Sequence, residues 1–362
     1  MFQESISLDV FQDQYWRKQP CRLGKLYMGA IDLCFEDLIG LAQEDNVESR
    51  LINQQSDRFE LKFGPMTETH LSSGSMLMVQ NLESYSYDLS QWISEHFSFL
   101  PRWRIEDVMA TLANEGGNCG PHFDQYDVFL VQLAGTKTWT LDEGGHEDTD
   151  LVERSDIRLL KDFSPKAEFT QECGQVLYIP PGFGHHGIAS DNCITLSIGI
   201  RNPLISEMAS HLADLLVQED FSDQSLSDEF SGAAIGQHEV SRLGEKLTQA
   251  LTKSDLLSVW YGSYMTLPRD SGLIEQDPDF DIGIGEFRAA NPQVSLDLPS
   301  RIACQPGWLF VNGEALALKA DAPWLLELQQ RREIETHAIP QADDYLLLAL
   351  IQAGALDIYP DD

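Results

Sequence analysis

Between residues 76 and 201 the chain repeatedly lays down a short apolar or alternating run and then stops at glycine or proline. Residues 76–79 are one such run, and 108–112 lead into the turn cluster Asn114-Glu115-Gly116-Gly117-Asn118. Residues 176–179 halt at Pro180-Pro181-Gly182, because proline offers no N–H to a central ladder. Residues 194–201 alternate, with Ile194, Leu196, Ile198 and Ile200 on one face and Thr195, Ser197, Gly199 and Arg201 on the other. Residues 128–133 and 138–141 flank Ala134-Gly135-Thr136-Lys137, which predicts a hairpin. Many short strands closed by such turns must bury their faces against one another, so this part of the chain should form a sandwich or barrel. Helices are expected nearby at 31–42 and 89–98, where apolar residues recur at helical spacing.

The texture changes after residue 205. Met208, Leu212, Leu215 and Leu216 make one amphipathic stripe and Val240, Leu243, Leu247 and Leu251 another, with the polar stretch 218–229 between them. Two such helices cannot bury their faces alone and need a third element or another copy of the chain. Further on, Trp308-Leu309-Phe310-Val311 and residues 314–318 are separated by Asn312-Gly313, the strongest short hairpin signal. Helices are expected at 323–332 and 343–353, the latter closed by Gly354. Helices with a small hairpin fit a winged-helix fold. The expected organisation is therefore a barrel domain at 1–205, a helical region at 206–267 and a winged-helix domain at 268–362.

Charge narrows the partners. The 362 residues carry 24 Lys+Arg against 58 Asp+Glu, a formal net charge of −34. Like charges repel, so direct nucleic-acid binding is not expected, even from a winged helix, whereas strongly basic proteins remain open as partners. Apolar residues make up 43%, so the acidity does not signal disorder. No apolar run is long enough to span a bilayer, and the first residues show neither a basic nor a continuous apolar segment; a cytoplasmic protein with no membrane partner is expected. The six cysteines are scattered without a C-x-x-C pair, which predicts buried reduced thiols.

The segment Gly120-Pro121-His122-Phe123-Asp124-Gln125-Tyr126-Asp127-Val128-Phe129 is where chemistry concentrates. On a strand, His122 and Asp124 point to the same face and can chelate one ion. A third ligand is available where Ile179-Pro180-Pro181-Gly182-Phe183-Gly184 delivers His185 or His186. Two histidines and one carboxylate are the facial triad of non-haem Fe(II) oxygenases. The pair alone is not diagnostic, since chance supplies about 1.4 His-x-acid pairs in a chain with 9 His and 58 acidic residues. His146-Glu147-Asp148, in a polar loop, reads as a solvated counterpart. Metal site and satisfied core polar residues both fit at this level. Lys137 either points into the barrel toward a carboxylate or is an ordinary lysine at a turn. Thr195 and Ser197 either bond a small ligand or face water.

Taken together, residues 120–129, Gly135-Thr136-Lys137-Thr138-Trp139 and Tyr178-Ile179-Pro180-Pro181-Gly182-Phe183-Gly184-His185 resemble the bacterial JmjC-type ribosomal oxygenases. The resemblance extends to Tyr15-Trp16-Arg17-Lys18-Gln19-Pro20, Val47-Glu48-Ser49-Arg50-Leu51 and Pro101-Arg102-Trp103-Arg104-Ile105, and so covers most of the first 205 residues. It implies an α+β fold: a double-stranded β-helix (cupin, jelly-roll) barrel followed by a helical dimerisation region and a C-terminal winged helix. It implies an Fe(II)- and 2-oxoglutarate-dependent dioxygenase that uses O₂ to hydroxylate an arginine side chain of a basic large-subunit ribosomal protein, working as a homodimer. His122, Asp124 and His185 match the family's iron ligands, His185 being fixed by its distance from Pro-Pro-Gly-Phe. Lys137 matches the basic residue that binds 2-oxoglutarate, where relatives often have arginine. Lysine keeps the charge but lacks the two-pronged fork. His186 departs from relatives that have an acidic residue there. Thr195 and Ser197 are further co-substrate candidates, and Tyr126 and Asp127 are candidates for substrate contact. Two other readings are a non-redox cupin metalloenzyme and an acidic dimeric module that binds basic ribosomal proteins without catalysis.

Overall fold

The computed structural model describes residues 7–26, 31, 33–55, 58–66, 72–153, 155–218, 237–252, 255–278, 280 and 283–357. The chain divides into two units, Met1–Asn202 and Pro203–Asp362.

The first unit contains eleven strands among the described residues: β1 (Cys21–Lys25), β2 (Ser49–Gln55), β3 (Arg58–Phe63), β4 (Ser75–Val79), β5 (Ile105–Ala113), β6 (Asp127–Ala134), β7 (Thr136–Leu141), β8 (Ala167–Glu172), β9 (Gln175–Ile179), β10 (His185–Ala189) and β11 (Cys193–Ile200). They form an antiparallel sheet in the order β1-β9-β6-β11-β5-β4-β2-β3 and a three-stranded sheet β10-β7-β8. From β6 onward the chain crosses repeatedly between the two sheets, which is the expected double-stranded β-helix. Helices α1 (Leu8–Gln14), α2 (Phe35–Leu41) and α3 (Tyr87–His96) accompany it. Ser7 and Ser86 cap α1 and α3 by accepting the Val10 and Leu89 N–H groups. Helix α2 begins at Phe35, four residues later than the apolar spacing suggests. There the Asp37 carboxylate accepts the Cys34 N–H and closes the first turn.

The expected hairpin at 128–141 is not formed. Strand β6 pairs with β9 and β11, and β7 pairs with β10 and β8, so the two runs belong to different sheets. Gly135, at φ +64°, makes the corner; a Cβ there would stand 2.3 Å from the Asn192 carbonyl oxygen. Asp191 secures the corner by accepting the Thr136 N–H at 2.7 Å. The largely apolar run 128–133 in β6 also has its cause here. Phe129, Val131 and Leu133 pack in the main core, with Phe11, Trp92 and Ile93 of α1 and α3, while Val128 and Leu130 join Trp139, Leu141, Leu177 and Ile179 in a separate cluster. A strand buried on both faces carries few polar positions, and the one inside this run, Gln132, is fully buried and accepts the Thr195 hydroxyl. Each large side chain buried this way contributes roughly 1.5–3 kcal/mol.

The second unit opens with α4 (Ile205–Gln218), α5 (Gln237–Leu251) and α6 (Leu256–Thr266). The polar stretch after Gln218 lies outside the described residues up to 236. Helix α6, absent from the sequence expectation, supplies a third partner: the Trp260 indole donates to the Met208 carbonyl at 3.2 Å. Then follow α7 (Ile284–Ala290), β12 (Gln293–Leu296), β13 (Ile302–Gln305), β14 (Trp308–Val311), β15 (Glu314–Ala317), α8 (Trp324–Arg331), β16 (Glu333–Glu335), α9 (Asp344–Gln352) and β17 (Leu356–Asp357). The Asn312-Gly313 hairpin forms as expected. Val311 pairs with Glu314, and both turn residues have positive φ, +50° and +92°. Leu325, Leu328, Leu346, Leu347 and Leu350 are fully buried and fill this unit's core. All six cysteines are free thiols. Cys21 and Cys193 are buried as expected, but Cys34 and Cys173 are exposed. Among the described residues no helix is long and apolar enough to cross a membrane.

Candidate metal centre

His122, Asp124 and His185 come together, with one ligand atom of each lying within 4.8 Å of the others. The backbone does this in an unexpected way. His122 and Asp124 are not on a regular strand: His122 makes an isolated bridge to His185, and Asp124 lies in the loop that enters β6. The two-residue alternation survives without the strand, because the bridge keeps His122 extended. Phe123, between them, is buried with its side chain near His146, ring centres 5.9 Å apart.

Hydrogen bonds prepare both imidazoles as ligands. His122 Nδ1 lies 2.9 Å from the Gly120 carbonyl and His185 Nδ1 lies 3.0 Å from the Phe183 carbonyl. Each Nδ1 is thereby engaged with a backbone carbonyl, which leaves Nε2 as the atom each ring can offer to an ion. His185 Nε2 stands 3.7 Å from Asp124 Oδ2. Burial pushes the His185 pKa well below its ordinary value, helped by repulsion from His122, so this imidazole is neutral. Burial also raises the Asp124 pKa, opposed by the charges of His122 and Arg158. At His122 burial acts downward but is outweighed by the Cys119 sulfur 3.6 Å away, by Asp124 and by the Gly120 carbonyl, which push its pKa up to about 10. Two nitrogen donors and one carboxylate oxygen in a partly closed pocket fit a divalent transition-metal ion and leave positions open.

Lys137 resolves toward the inward alternative. It is only 3% exposed, on the face of β7 shared with Trp139 and Leu141. Its Nζ lies 4.9 Å from the centre of the Trp139 ring and has no carboxylate partner among the described residues. Burial lowers its pKa, while the Cys193 and Cys119 sulfurs act in the opposite sense. Thr195 is buried and its hydroxyl donates to Gln132 Oε1 at 3.0 Å. Ser197, two residues on, is half-buried. The polar face of β11 thus lies opposite the helix-covered core and does not simply face water.

Other candidates separate. His186 points away from His185: its Nε2 lies 3.1 Å from Asn118 Oδ1, and burial lowers its pKa to about 4. It is not part of the ligand group. Asp127 is also withdrawn from substrate contact. It is 1% exposed, accepts the Tyr178 hydroxyl at 2.5 Å and faces Arg17 at 3.7 Å. It reads as a support for the start of β6, since this buried carboxylate is turned to Tyr178 and Arg17 rather than to a ligand. Tyr126 is exposed, its ring lying over Gly199.

His146 is not the solvated residue that its loop composition suggests. It is tied to Asp142 at 2.5 Å, and Asp142 also accepts the Gly184 N–H at 2.9 Å, just before His185. A Cβ at Gly184 would meet that carboxylate at 2.2 Å. Asp142 and His146 therefore fix the approach to the third ligand. Asn118 does the same for the first, accepting the Gly120 N–H at 2.9 Å. Neither Asp142 nor Asn118 was singled out as a functional residue from the sequence, where an isolated Asn or Asp near glycines reads as turn chemistry.

Residues 92–208 match the model of the JmjC domain. The ribosomal protein uL16 3-hydroxylase of Escherichia coli (strain K12) is 28% identical over 275 residues, 74% of each chain. A probable ribosomal oxygenase of Haemophilus influenzae is 33% identical over 232 residues, 62% of this chain and 57% of that one. Among solved structures, the E. coli ribosomal oxygenase YcfD in complex with cobalt and succinic acid superposes with a TM-score of 0.85 at 26% identity, covering 99% of both chains. The same protein with cobalt and 2-oxoglutarate gives 0.85 at 25%. The barrel is thus a JmjC cupin-type fold, and the chain carries a JmjC domain and is similar over most of its length to ribosomal oxygenases.

Proposed function

We propose that this chain is an Fe(II)- and 2-oxoglutarate-dependent dioxygenase that hydroxylates an arginine side chain of a large-subunit ribosomal protein. The observation that carries the reading is a pair of features in one barrel: a two-histidine, one-carboxylate group, and a buried lysine with no carboxylate of its own among the described residues. Solved relatives hold cobalt together with 2-oxoglutarate or succinate, and the E. coli relative is named for hydroxylating uL16. Iron with 2-oxoglutarate supplies the power to activate O₂, and the chain supplies position and shelter. His122, Asp124 and His185 hold the metal on one side. Lys137 neutralises the far carboxylate of 2-oxoglutarate and so sets its direction in the barrel. Val128, Leu130 and Leu177 keep water from the buried part of the site. Ser197 and Thr195 flank the co-substrate, and Tyr126 lies where an incoming peptide can touch it.

The remaining roles are proposals of the same kind. The oxygenase domain takes residues 1–205, the helical dimerisation region 206–267 and the winged helix 268–362. The three-stranded sheet β13-β14-β15 with α7, α8 and α9 supports the last of these. Val240, Leu243 and Leu247 are exposed at helical spacing along α5, which supports pairing with a second copy. The net charge of −34 favours encounter with a basic ribosomal protein in the cytoplasm. The deciding experiment is mass spectrometry of ribosomal proteins from cells with and without the gene. One arginine-containing peptide should lose a single oxygen when the gene is deleted. Unchanged spectra, or an oxygen on histidine, would overturn the arginine assignment.

A further inference from the structure

Three buried polar side chains crowd one wall of the barrel, and each has a functional atom left over. Lys137 and Trp139 share the inner face of β7, and Gln171 lies directly opposite Lys137 in the register of β7 with β8. All three are at most 4% exposed. Among the described residues Trp139 Nε1 and Gln171 Oε1 are buried without any hydrogen-bond partner. A buried donor or acceptor with no partner is costly, and such atoms are seldom left so unless something else completes them.

The orientations of Gln171 and Trp139 are fixed. Gln171 Nε2 donates to the Leu130 carbonyl at 2.8 Å and to the Gln175 carbonyl at 2.7 Å, so its amide cannot flip and Oε1 is the free end. Trp139 turns its six-membered ring toward β10, where a Cβ on Gly187 would stand 2.6–2.8 Å from Cζ3, Cη2 and Cε3. Nε1 belongs to the other edge of the indole, away from Gly187. The ring centre is 6.0 Å from the His185 ring and 4.9 Å from Lys137 Nζ, so the indole bridges the space between metal ligand and buried cation.

We propose that Trp139 and Gln171 complete, with Lys137, a three-point seat for one carboxylate. Lys137 Nζ donates to one carboxylate oxygen and Trp139 Nε1 to the other, while Gln171 Oε1 accepts a further Lys137 proton. The physical reason is the choice of lysine. An ammonium is a point charge that does not fix the plane of a carboxylate, whereas a guanidinium does so with two parallel donors. A rigid indole N–H beside the lysine restores the second donor, and a fixed carbonyl holds the ammonium in place. The seat then selects a 2-oxo acid with a second carboxylate. This inference rests on the proposed use of 2-oxoglutarate.

The test is binding, without turnover. Mn(II)-loaded full-length protein is titrated calorimetrically, in the absence of oxygen, with 2-oxoglutarate and with 2-oxopentanoate, which has a methyl group in place of the far carboxylate. Wild type should prefer 2-oxoglutarate. Trp139→Phe should weaken 2-oxoglutarate about tenfold and leave 2-oxopentanoate unchanged, as expected for one lost hydrogen bond to a charged group. Gln171→Glu, which gives Lys137 a carboxylate of its own, should abolish the preference. Retention of 2-oxopentanoate binding shows that a variant is folded. If Trp139→Phe does not fold, 3-benzothienylalanine at position 139 keeps the shape and removes only the N–H. Equal loss for both ligands, or loss for neither, would overturn the seat. A wild type with no preference for 2-oxoglutarate would overturn the co-substrate reading and the seat with it.

Discussion

His122 and His185 are joined by two reciprocal backbone hydrogen bonds, His122 N–H to the His185 carbonyl at 3.0 Å and His185 N–H to the His122 carbonyl at 2.8 Å. The bridge binds a loop in front of β6 to the first residue of β10 and sets the two imidazoles with ring centres 4.2 Å apart. Side-chain replacements leave these bonds intact. His122→Ala and Asp124→Ala should therefore keep the fold, seen as an unchanged far-UV spectrum and a cooperative melt. Metal affinity, measured by Mn(II) titration, should fall by at least about a hundredfold, since each removes one of three ligands. Wild-type affinity in either variant would mean the ion sits elsewhere.

Gly187 has no room for a side chain because Trp139 occupies it. Gly187→Ala should destabilise the protein by about 1–3 kcal/mol through overpacking, read from urea unfolding. Combining it with Trp139→Phe should cost less than the two separately, because the smaller ring vacates the contact. Strict additivity would show that the two residues do not press on each other.

Asp297 works against the second unit at neutral pH. Burial, then repulsion from Asp357, raise its pKa to about 6, despite the nearby Arg332. Between about pH 4 and 6 the folded state thus holds a proton that the unfolded state has already released, and above 6 the folded state carries the full cost of the buried charge. Its penalty is absent below about pH 4 and grows as pH rises through 6. Asp297→Asn should raise stability at pH 7 by about 2 kcal/mol, and the gain should vanish near pH 4. Thermal melts at both pH values test this, and a gain independent of pH would point to another cause.

Val240, Leu243 and Leu247 form an exposed stripe on α5. If the stripe pairs two copies, Leu243→Glu with Leu247→Glu should convert a dimer to a monomer in sedimentation equilibrium, with Mn(II) affinity unchanged. An unchanged mass would move the pairing surface elsewhere.

Charge steering gives a last outcome. Initial rates on an intact basic ribosomal protein should fall several-fold between low and 0.3 M salt, while rates on a short uncharged peptide should hold steady, because screening acts on long-range attraction alone. Parallel curves for the two substrates would remove electrostatics from substrate capture.

Much of this was legible in the order of residues because its causes are local. Period-two alternation in 194–201, the proline stop after Ile179 and the Asn312-Gly313 turn act through neighbours in the chain, and each produced the expected element. The ligand trio was legible as well, through residue types and a family pattern. What failed was pairing. Two strands four residues apart look like a hairpin, yet β6 and β7 part at Gly135 because each finds better partners in opposite sheets. Side-chain environment failed for the same reason. The composition around His146 is that of a wet loop, but Asp142 and Phe123 enclose it. Asp127 sits beside the metal motif in sequence, yet its carboxylate belongs to Tyr178 and Arg17, residues distant along the chain.

The sequence by itself determined which segments extend, which coil, where they turn, and which residue types are present to hold a metal, since these depend on backbone propensity and spacing. Only the tertiary structure decided that His186 turns to Asn118, that Lys137 is a buried cation, and that Trp139 and Gln171 bring unpartnered atoms to the same wall. Those outcomes depend on which groups lose their water when two sheets close on each other, and desolvation is a property of the assembled fold.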